Sequence, residues 1–591
     1  GSLRIDDEQP VSISSASSIL RRRMALFFMV APHFCFLLQF ITGNSGNGKT
    51  KYLFNRIVKE AKANPRDNYL VIVPEQFTMQ TQRQLVDLSE NKAIMNIDVL
   101  SFKRLAYRVF DELGITNLTV LEETGKNLVL RKLAAQEADK LGVIGRNLNR
   151  IGYISEVKSL LSELVQYNIS PEELGRYIAS GRLSDALSDK LKDVLVLYEA
   201  FEKFMQDKYI TAEEILNVLC NVAEESAILR NSVIAFDEFT GFTPIQNQLI
   251  KKLFVISKKI YVTLTIDCRE DIFKSRGMQE LFDMPKRTVK SLTEMAAFYG
   301  IEVEKPIILD KNYRLAENEE LSFMEQQLFR KRRCSFEKAP KHIHIDCLRD
   351  PKQELTKIAR RINELVRNEN LRYRDIAIVT GDVNIYAGYV REIFDKYNIP
   401  YFIDATQEIL FHPFIEFIRS IPDIAAQNFS ADAVFRFLRC GFSELLDSEI
   451  DVLENYVLAC GVRGKSAWNK KWVRLPKHKA GYDLELLNKS REYIMELLKP
   501  VYQVFSDKKS TVKDYVLAIY KLIVLLDIPD KLAKKEQALL DAGDQTASKE
   551  YGQIYKIVMQ LFEKYVAVLG DECMDAEEFT QILDAGLDAA D

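Results

Sequence analysis

At 591 residues, 47% hydrophobic and 28% charged, the chain has the composition of soluble globular protein and length for about three or four domains, which excludes a disordered or low-complexity polypeptide. Its formal net charge of −4 supplies no overall field to attract a polyanion, so a nucleic-acid partner has to be met by local basic patches. The eight cysteines are scattered with no C-x-x-C pair or metal-ligand spacing, and no apolar run reaches transmembrane length; a reduced cytoplasmic protein with no disulfide, no zinc and no membrane contact is expected.

Residues 1–34 read as a tag and extension, opening with Gly1-Ser2. Arg21-Arg22-Arg23 ahead of Ala25-Leu26-Phe27-Phe28-Met29-Val30-Ala31 imitates an export signal, but the run flows into the first core strand, and Met24 or Met29 lies near the expected natural start. That buried strand is Leu37-Leu38-Gln39-Phe40-Ile41-Thr42. The octapeptide Gly43-Asn44-Ser45-Gly46-Asn47-Gly48-Lys49-Thr50 follows with the spelling of a P-loop. Its glycines let backbone N–H groups turn onto phosphate oxygens, Lys49 reaches the outer phosphates of ATP, and Thr50 holds Mg²⁺. Leu53, Ile57 and Ala61, at spacing four, predict the helix whose amino end adds partial positive charge.

Tyr69-Leu70-Val71-Ile72-Val73 predicts a second buried strand, closed by Pro74-Glu75-Gln76-Phe77-Thr78, and Ile97-Asp98-Val99-Leu100 a third. Ser101 is placed to cap a helix that turns Phe102, Leu105, Ala106, Val109 and Phe110 inward and Arg104, Tyr107 and Arg108 outward. The outer ridge reads either as a solvated helix face or as a surface for a nucleic-acid backbone and a stacked base. Residues 121–205 are predicted helical, with the stripe Leu191, Val194, Leu195, Tyr198 and Phe201. The α/β pattern returns at Ser232-Val233-Ile234-Ala235-Phe236-Asp237-Glu238, the Walker B form, in which Asp237 holds Mg²⁺ through water and Glu238 orients the attacking water. Thr243-Pro244-Ile245-Gln246 predicts a helix start with a capping box and proline at its first position. A strand at Ile260-Tyr261-Val262-Thr263-Leu264 and the run Leu309-Asp310-Lys311-Asn312-Tyr313-Arg314 follow, and Arg330-Lys331-Arg332-Arg333 reads as a solvated boundary.

His342-Ile343-His344-Ile345 opens a second α/β pattern: a helix near 351–366, the strand Ile376-Ala377-Ile378-Val379, a helix near 386–397, and Ile399-Pro400-Tyr401-Phe402. His342 and His344 are read as structural, because no third metal ligand lies near them. From Phe414 onward helices dominate, and Trp468 and Trp472 around Lys470 and Lys471 read as packing with a basic rim rather than as a nucleic-acid contact. The expected fold is α/β, a P-loop NTPase with superfamily 1 helicase-like RecA-type domains and two large all-helical insertions. A first RecA-like domain takes 35–120 and 206–330, a helical insertion 121–205, the start of a second RecA-like domain 338–425, and another helical insertion 426–591.

Five stretches add a family resemblance: Gly43 to Thr50, Val73 to Thr78, Leu100-Ser101-Phe102-Lys103-Arg104-Leu105-Ala106-Tyr107-Arg108-Val109, Phe239-Thr240-Gly241-Phe242-Thr243-Pro244, and Tyr397 to Asp404 with His412-Pro413. Together they resemble the B subunits of bacterial AddAB ATP-dependent helicase/nucleases, from about Gln39 to the end. The resemblance implies a helicase-like subunit that scans emerging single-stranded DNA for Chi during double-strand break repair and homologous recombination, paired with an AddA motor subunit. The Chi-reading positions it implies are Gln76, Thr78, Phe102, Arg104 and Tyr107, with Phe239 or Phe242 as a further aromatic; the family pattern has tryptophan at the Tyr107 position. It also has Asp-Gly where Asp237-Glu238 stands here, and Asn312-Tyr313-Arg314 looks like the helicase motif whose arginine touches the γ-phosphate. A nuclease with a 4Fe–4S cluster completes the family's subunit. No such signature precedes Asp591, so a non-nucleolytic amino-terminal fragment is expected, with the cluster only in the full-length protein. The alternatives are a self-sufficient ATP-driven DNA translocase and a P-loop enzyme acting on a small substrate.

Overall fold

Apolar runs pair edge to edge in one parallel sheet: Leu37–Gly43 (β1), Tyr69–Ile72 (β2), Ile97–Leu100 (β3), Val233–Phe236 (β4), Lys259–Thr265 (β5), Glu302–Val303 (β6) and Ile307–Leu309 (β7). The computed structural model describes residues 37–588 apart from 116–119, 122, 143–152, 181–182, 206–208, 331–333, 405–408, 477–481 and 508. The expected tag and extension, and residues 331–333 of the charged boundary, lie outside the described residues. Strand order is β3-β2-β4-β5-β1-β6, with β7 also pairing β1. The registers Ile72↔Leu100, Ile72↔Phe236, Phe236↔Val262 and Thr42↔Leu264 bring the carboxyl ends of β1 to β5 out on one edge. β2 and β4 are buried throughout, as continuous apolar runs covered on both faces must be.

Parallel strands need crossovers, here mostly helical. Helix α1 (Lys49–Ala63) buries Leu53, Phe54, Ile57 and Ala61. After α2 (Thr78–Leu88), α3 (Phe102–Leu113) starts at Ser101, whose Oγ accepts from the Arg104 N–H, and buries all five residues of its predicted inner face. Helix α4 (Ile215–Val222) precedes β4. Helix α5 (Pro244–Ile256) carries the predicted capping box: Gln246 N–H donates to Thr243 Oγ1 at 3.4 Å and Thr243 N–H to Gln246 Oε1 at 2.9 Å. Helices α6 (Asp283–Phe298) and α7 (Glu319–Gln327) complete this half of the chain.

The described residues form two compact units, one drawn from 37–118, 166–168 and 213–344 and the other from 119–165, 169–212 and 345–588. The second is helical apart from the pair Val120–Leu121 and Ile210–Thr211. The stretches 121–205 and 426–591, expected as separate insertions, meet inside it. Arg131 donates to the Gln581 carbonyl and to its Oε1 at 3.0 and 2.9 Å, and Lys132 pairs with Glu572 at 2.7 Å. Sequence periodicity shows that each helix has an inner face but not which distant helix covers it. Trp468 is fully buried, 5.3 Å from Trp472 between ring centroids, so the tryptophan pair is packing.

Two expectations need correction. The segments 343–348, 376–380 and 401–404 carry no strand among the described residues, although the helices Pro351–Asn368 and Val383–Lys396 form and share a small core of Leu355, Ala359, Ile362, Ile393, Phe394 and Ile399. A strand needs a hydrogen-bonded neighbour, and with none supplied Ile345, Val379 and Phe402 stay 93%, 93% and 88% exposed. Arg330 is not solvated: Asp267, 1% exposed, draws its guanidinium in at 3.0 Å. No helix among the described residues is long and apolar enough to cross a membrane.

His412 caps the helix Pro413–Ala426, accepting the Phe414 N–H on Nδ1 at 3.1 Å, while its buried Nε2 has no partner and its ring lies 4.5 Å from that of Tyr551. Burial pulls this imidazole down from 6.5 to about 4. The folded state favours neutral His412, so its contribution is complete above pH 6.5 and is lost as pH falls toward 4. Between pH 7 and 4.5 the protein should lose about 2 kcal/mol more stability than His412→Asn, which keeps a capping oxygen and has no proton to take up. Equal losses in denaturant titrations at the two pH values would refute this.

Candidate nucleotide and nucleic-acid site

The turn after β1 depends on backbone that only glycine adopts freely. Gly46 and Gly48 sit at φ +87° and +78°, the latter as the left-handed cap of α1. A Cβ on Gly43 would lie 2.6 Å from the Leu309 carbonyl, so β7 passes too close for a side chain. The loop's outer side is clasped by residues 312–314: Asn312 Nδ2 donates to the Ser45 carbonyl at 3.1 Å, and the Tyr313 and Arg314 N–H groups donate to the Gly46 carbonyl at 3.0 and 3.3 Å. Buried Asn44 joins three parts, donating to Glu325 Oε1 of α7, accepting the Cys268 N–H after β5, both at 2.9 Å, and accepting Lys49 Nζ on its carbonyl at 3.0 Å. Burial pulls the Lys49 ammonium below the ordinary lysine range, against the opposing pull of Glu238 and Asp237.

Across β5 from β1, strand β4 delivers Asp237, which is 1% exposed. Its Oδ1 accepts from Thr263 Oγ1 and, at 3.3 Å, from Thr50 Oγ1. Its Oδ2 is buried with no hydrogen-bond partner. Burial, with Glu238 adding to it, pushes this carboxyl up to about 6 against the hydroxyls' opposing effect. Glu238 is exposed, takes φ +64°, an unfavourable region for a residue with a side chain, and accepts Thr50 Oγ1 at 3.3 Å. Lys49, Thr50, Asp237, Glu238 and exposed Arg314 are thus gathered at one sheet edge.

The residues named for strand contact follow β2, β3 and β4 on that edge. Gln76 is exposed, while Thr78 is buried and spends its hydroxyl on the Glu75 carbonyl at 3.0 Å. Arg104 is paired with Glu75 at 2.8 Å, and Arg108 lies 3.8 Å from Asp98. The Ser101 hydroxyl, ahead of Arg104, holds the Glu75 carboxyl below the usual range. Tyr107 is 39% exposed with its ring edge-on to Phe110. Phe102 is buried, as its face assignment requires, and packs 5.8, 5.6 and 6.3 Å from Phe236, Phe239 and Phe242. Half-buried Phe239 and Phe242 present the outer side of this four-ring cluster. Sequence reading missed Glu75 as the partner of both Ser101 and Arg104; its place three residues before Thr78, in the same short strand-end turn, was the available signal.

A family model described as "ADDB, N-terminal" matches residues 40–325. The B subunit of an ATP-dependent helicase/deoxyribonuclease from Lachnoclostridium phytofermentans is 38% identical over 559 residues, 93% of this chain and 48% of that protein. Proteins of the same description from Clostridium acetobutylicum and Caldanaerobacter subterraneus subsp. tengcongensis are each 32% identical, over 562 and 563 residues, with the same coverage of both chains. The chain therefore spans about half the length of these relatives. Over that span, it belongs to the family of ATP-dependent helicase/deoxyribonuclease B subunits.

Proposed function

We propose that this chain is the nucleotide- and strand-handling part of an AddAB-type B subunit: a P-loop NTPase unit of superfamily 1 helicase type that holds ATP with Mg²⁺ and binds single-stranded DNA during cytoplasmic break repair. The observation that carries the reading is the orphaned Asp237 Oδ2, buried beside Thr50 at the carboxyl edge of the sheet. Ionised, it and the Thr50 hydroxyl offer hard oxygens of the kind Mg²⁺ takes, directly or through water. The residues present therefore fit the group. Gly43, Ser45, Gly46, Asn47 and Gly48 would wrap the phosphates with backbone, Lys49 would exchange its Asn44 carbonyl for phosphate oxygen, and Arg314 stands on the outer side of the same turn. Bound Mg²⁺ would neutralise phosphate charge, and exposed Glu238 is free to orient a water.

On the strand side, Arg104 would trade Glu75 for a backbone phosphate, with Tyr107, Phe239 and Phe242 offering ring faces to bases and Gln76 a polar group. Phe102 would act from beneath, as the packing support of Phe239 and Phe242, and Thr78 through the turn that positions Gln76. Chi scanning and an A-subunit partner follow from the family reading. The deoxyribonuclease step and any 4Fe–4S cluster belong, in this reading, to the part of the relatives that the chain does not match. A second reading, ATP-driven translocation by this unit itself, is favoured by the complete Thr50–Asp237–Glu238 set. Single-strand-stimulated ATP hydrolysis abolished by Lys49→Ala or Glu238→Gln would select it, and nucleotide binding without turnover would select the first.

Asp237→Asn separates the two roles of that carboxylate. Because its folded value is raised from 3.8 to about 6, Asp237 imposes no stability cost below pH 3.8 and its full cost above pH 6. The variant should unfold about 2–3 kcal/mol less readily than the parent at pH 8 and equally at pH 3.5, while Mg²⁺-ATP no longer raises its melting temperature. Lack of stabilisation at pH 8 would refute the burial assignment. Filter binding of an oligo-dT strand should weaken as salt rises, and Arg104→Ala should both weaken it and flatten the salt dependence. No affinity at low salt would remove the DNA reading.

A further inference from the structure

The connection from β5 to α6 leaves the same edge as the P-loop and the aromatic cluster, and it exposes large apolar side chains that nothing above uses: Phe273, Met278, Leu281 and Met284. Met284, 62% exposed in the first turn of α6, is tied to the aromatic cluster. Thr288 Oγ1, one helical turn on, donates to the Thr240 carbonyl at 3.0 Å and to the Met284 carbonyl at 3.1 Å, fixing that first turn against the Phe239–Phe242 loop. Gly241, between the two phenylalanines, is covered from this side: a Cβ there would meet Thr288 Oγ1 at 3.4 Å and Met284 Cγ and Sδ at 3.7 and 4.0 Å. The thioether therefore lies over the backbone of this turn, unsheltered by a side chain beneath it.

Two exposed cations lie on the same connection and helix, among the carboxylates Glu270, Asp271, Glu280 and Asp283. Arg276 and Lys290 carry side chains 68% and 69% exposed, each in only a long contact with a helical-spacing partner, Glu280 at 3.6 Å and Glu294 at 3.9 Å. Contacts so long and wet contribute little and are readily exchanged for a phosphate. Exposed apolar side chains and exchangeable cations on one connection are what an extended single strand uses, because every base has an apolar face and every link an anion.

We infer that Met284 is a base-contact residue for single-stranded DNA, extending the Phe239–Phe242 platform onto the β5–α6 connection, with Arg276 and Lys290 taking the flanking phosphates. The inference rests on the strand-binding reading of the cluster. A polarisable, unbranched thioether suits a base of any identity, so Met284 adds affinity without selecting sequence. A protein helix is the other occupant an exposed methionine surface can take, and the test distinguishes the two.

Methionine oxidation followed by peptide mass spectrometry reads the contact directly on this chain. With saturating oligo-dT, Met284 sulfoxide formation should slow at least about fivefold, while Met95, 97% exposed ahead of β3 at the opposite sheet edge, should oxidise unchanged. Met284→Ala should weaken oligo-dT binding about tenfold, Met284→Phe should restore it, and ATP binding should be unaffected in both. Salt-sensitive, Arg104-dependent binding with Met284 oxidising at its free rate would overturn this inference alone and assign the patch to a protein partner. Absence of any oligo-dT affinity would overturn the strand reading and this inference together.

Discussion

The carboxylate of Asp237 holds the working edge of the sheet together. One oxygen receives hydroxyls from Thr50 on α1 and Thr263 on β5, so three neighbouring elements are drawn to a single point, and the other oxygen is left buried and unpaired. A buried carboxyl oxygen without a partner is unfavourable in the isolated fold, which burial expresses by lifting the group toward its neutral form. A bound cation would remove that penalty, and the geometry that carries it is already fixed by the register Phe236↔Val262 and Thr42↔Leu264. Parallel strands with both faces covered admit no sliding without moving apolar side chains into the wrong layer, so the alignment of the carboxylate with the loop is a property of the core.

The octapeptide, the Asp-Glu strand end, the Ser101 cap and the Thr243–Gln246 box were all legible in the sequence, because each is a short-range pattern whose physics is complete within a few residues. The buried face of α3 was read residue for residue. Less accessible were the long-range partners. Glu75 takes both Ser101 and Arg104, and Asn44 is held between Glu325 and Cys268, partners 281 and 224 residues away. No periodicity announces such pairs. The arginine ridge was seen correctly as an outer face, but its charge is already half answered by carboxylates that the one-dimensional pattern could not place.

The second α/β pattern went wrong for an instructive reason. Its helices depend on their own apolar stripes and on each other, and they form. Its strands depend on a neighbour, and 376–380 and 401–404 find none among the described residues. Alternating or continuous apolar sequence is therefore evidence that a segment can be a strand, whereas helix periodicity carries most of its own fulfilment. The helical unit makes the same point from the other side, since Arg131 and Gln581, 450 residues apart, meet only because two amphipathic surfaces were compatible.

The clasp of residues 312–314 over Gly46 has a mechanical meaning. Two N–H groups on consecutive residues grip one carbonyl of the loop after β1, so that carbonyl cannot rotate while the grip persists. Loop and clasp consequently behave as a single lever: whatever tightens the turn from inside also pulls on the peptide that runs from β7 to α7, and tension on that peptide is felt inside the turn. The chain has in this way joined the first loop of its fold to a segment some 270 residues later, through two backbone bonds and the Asn312 side chain.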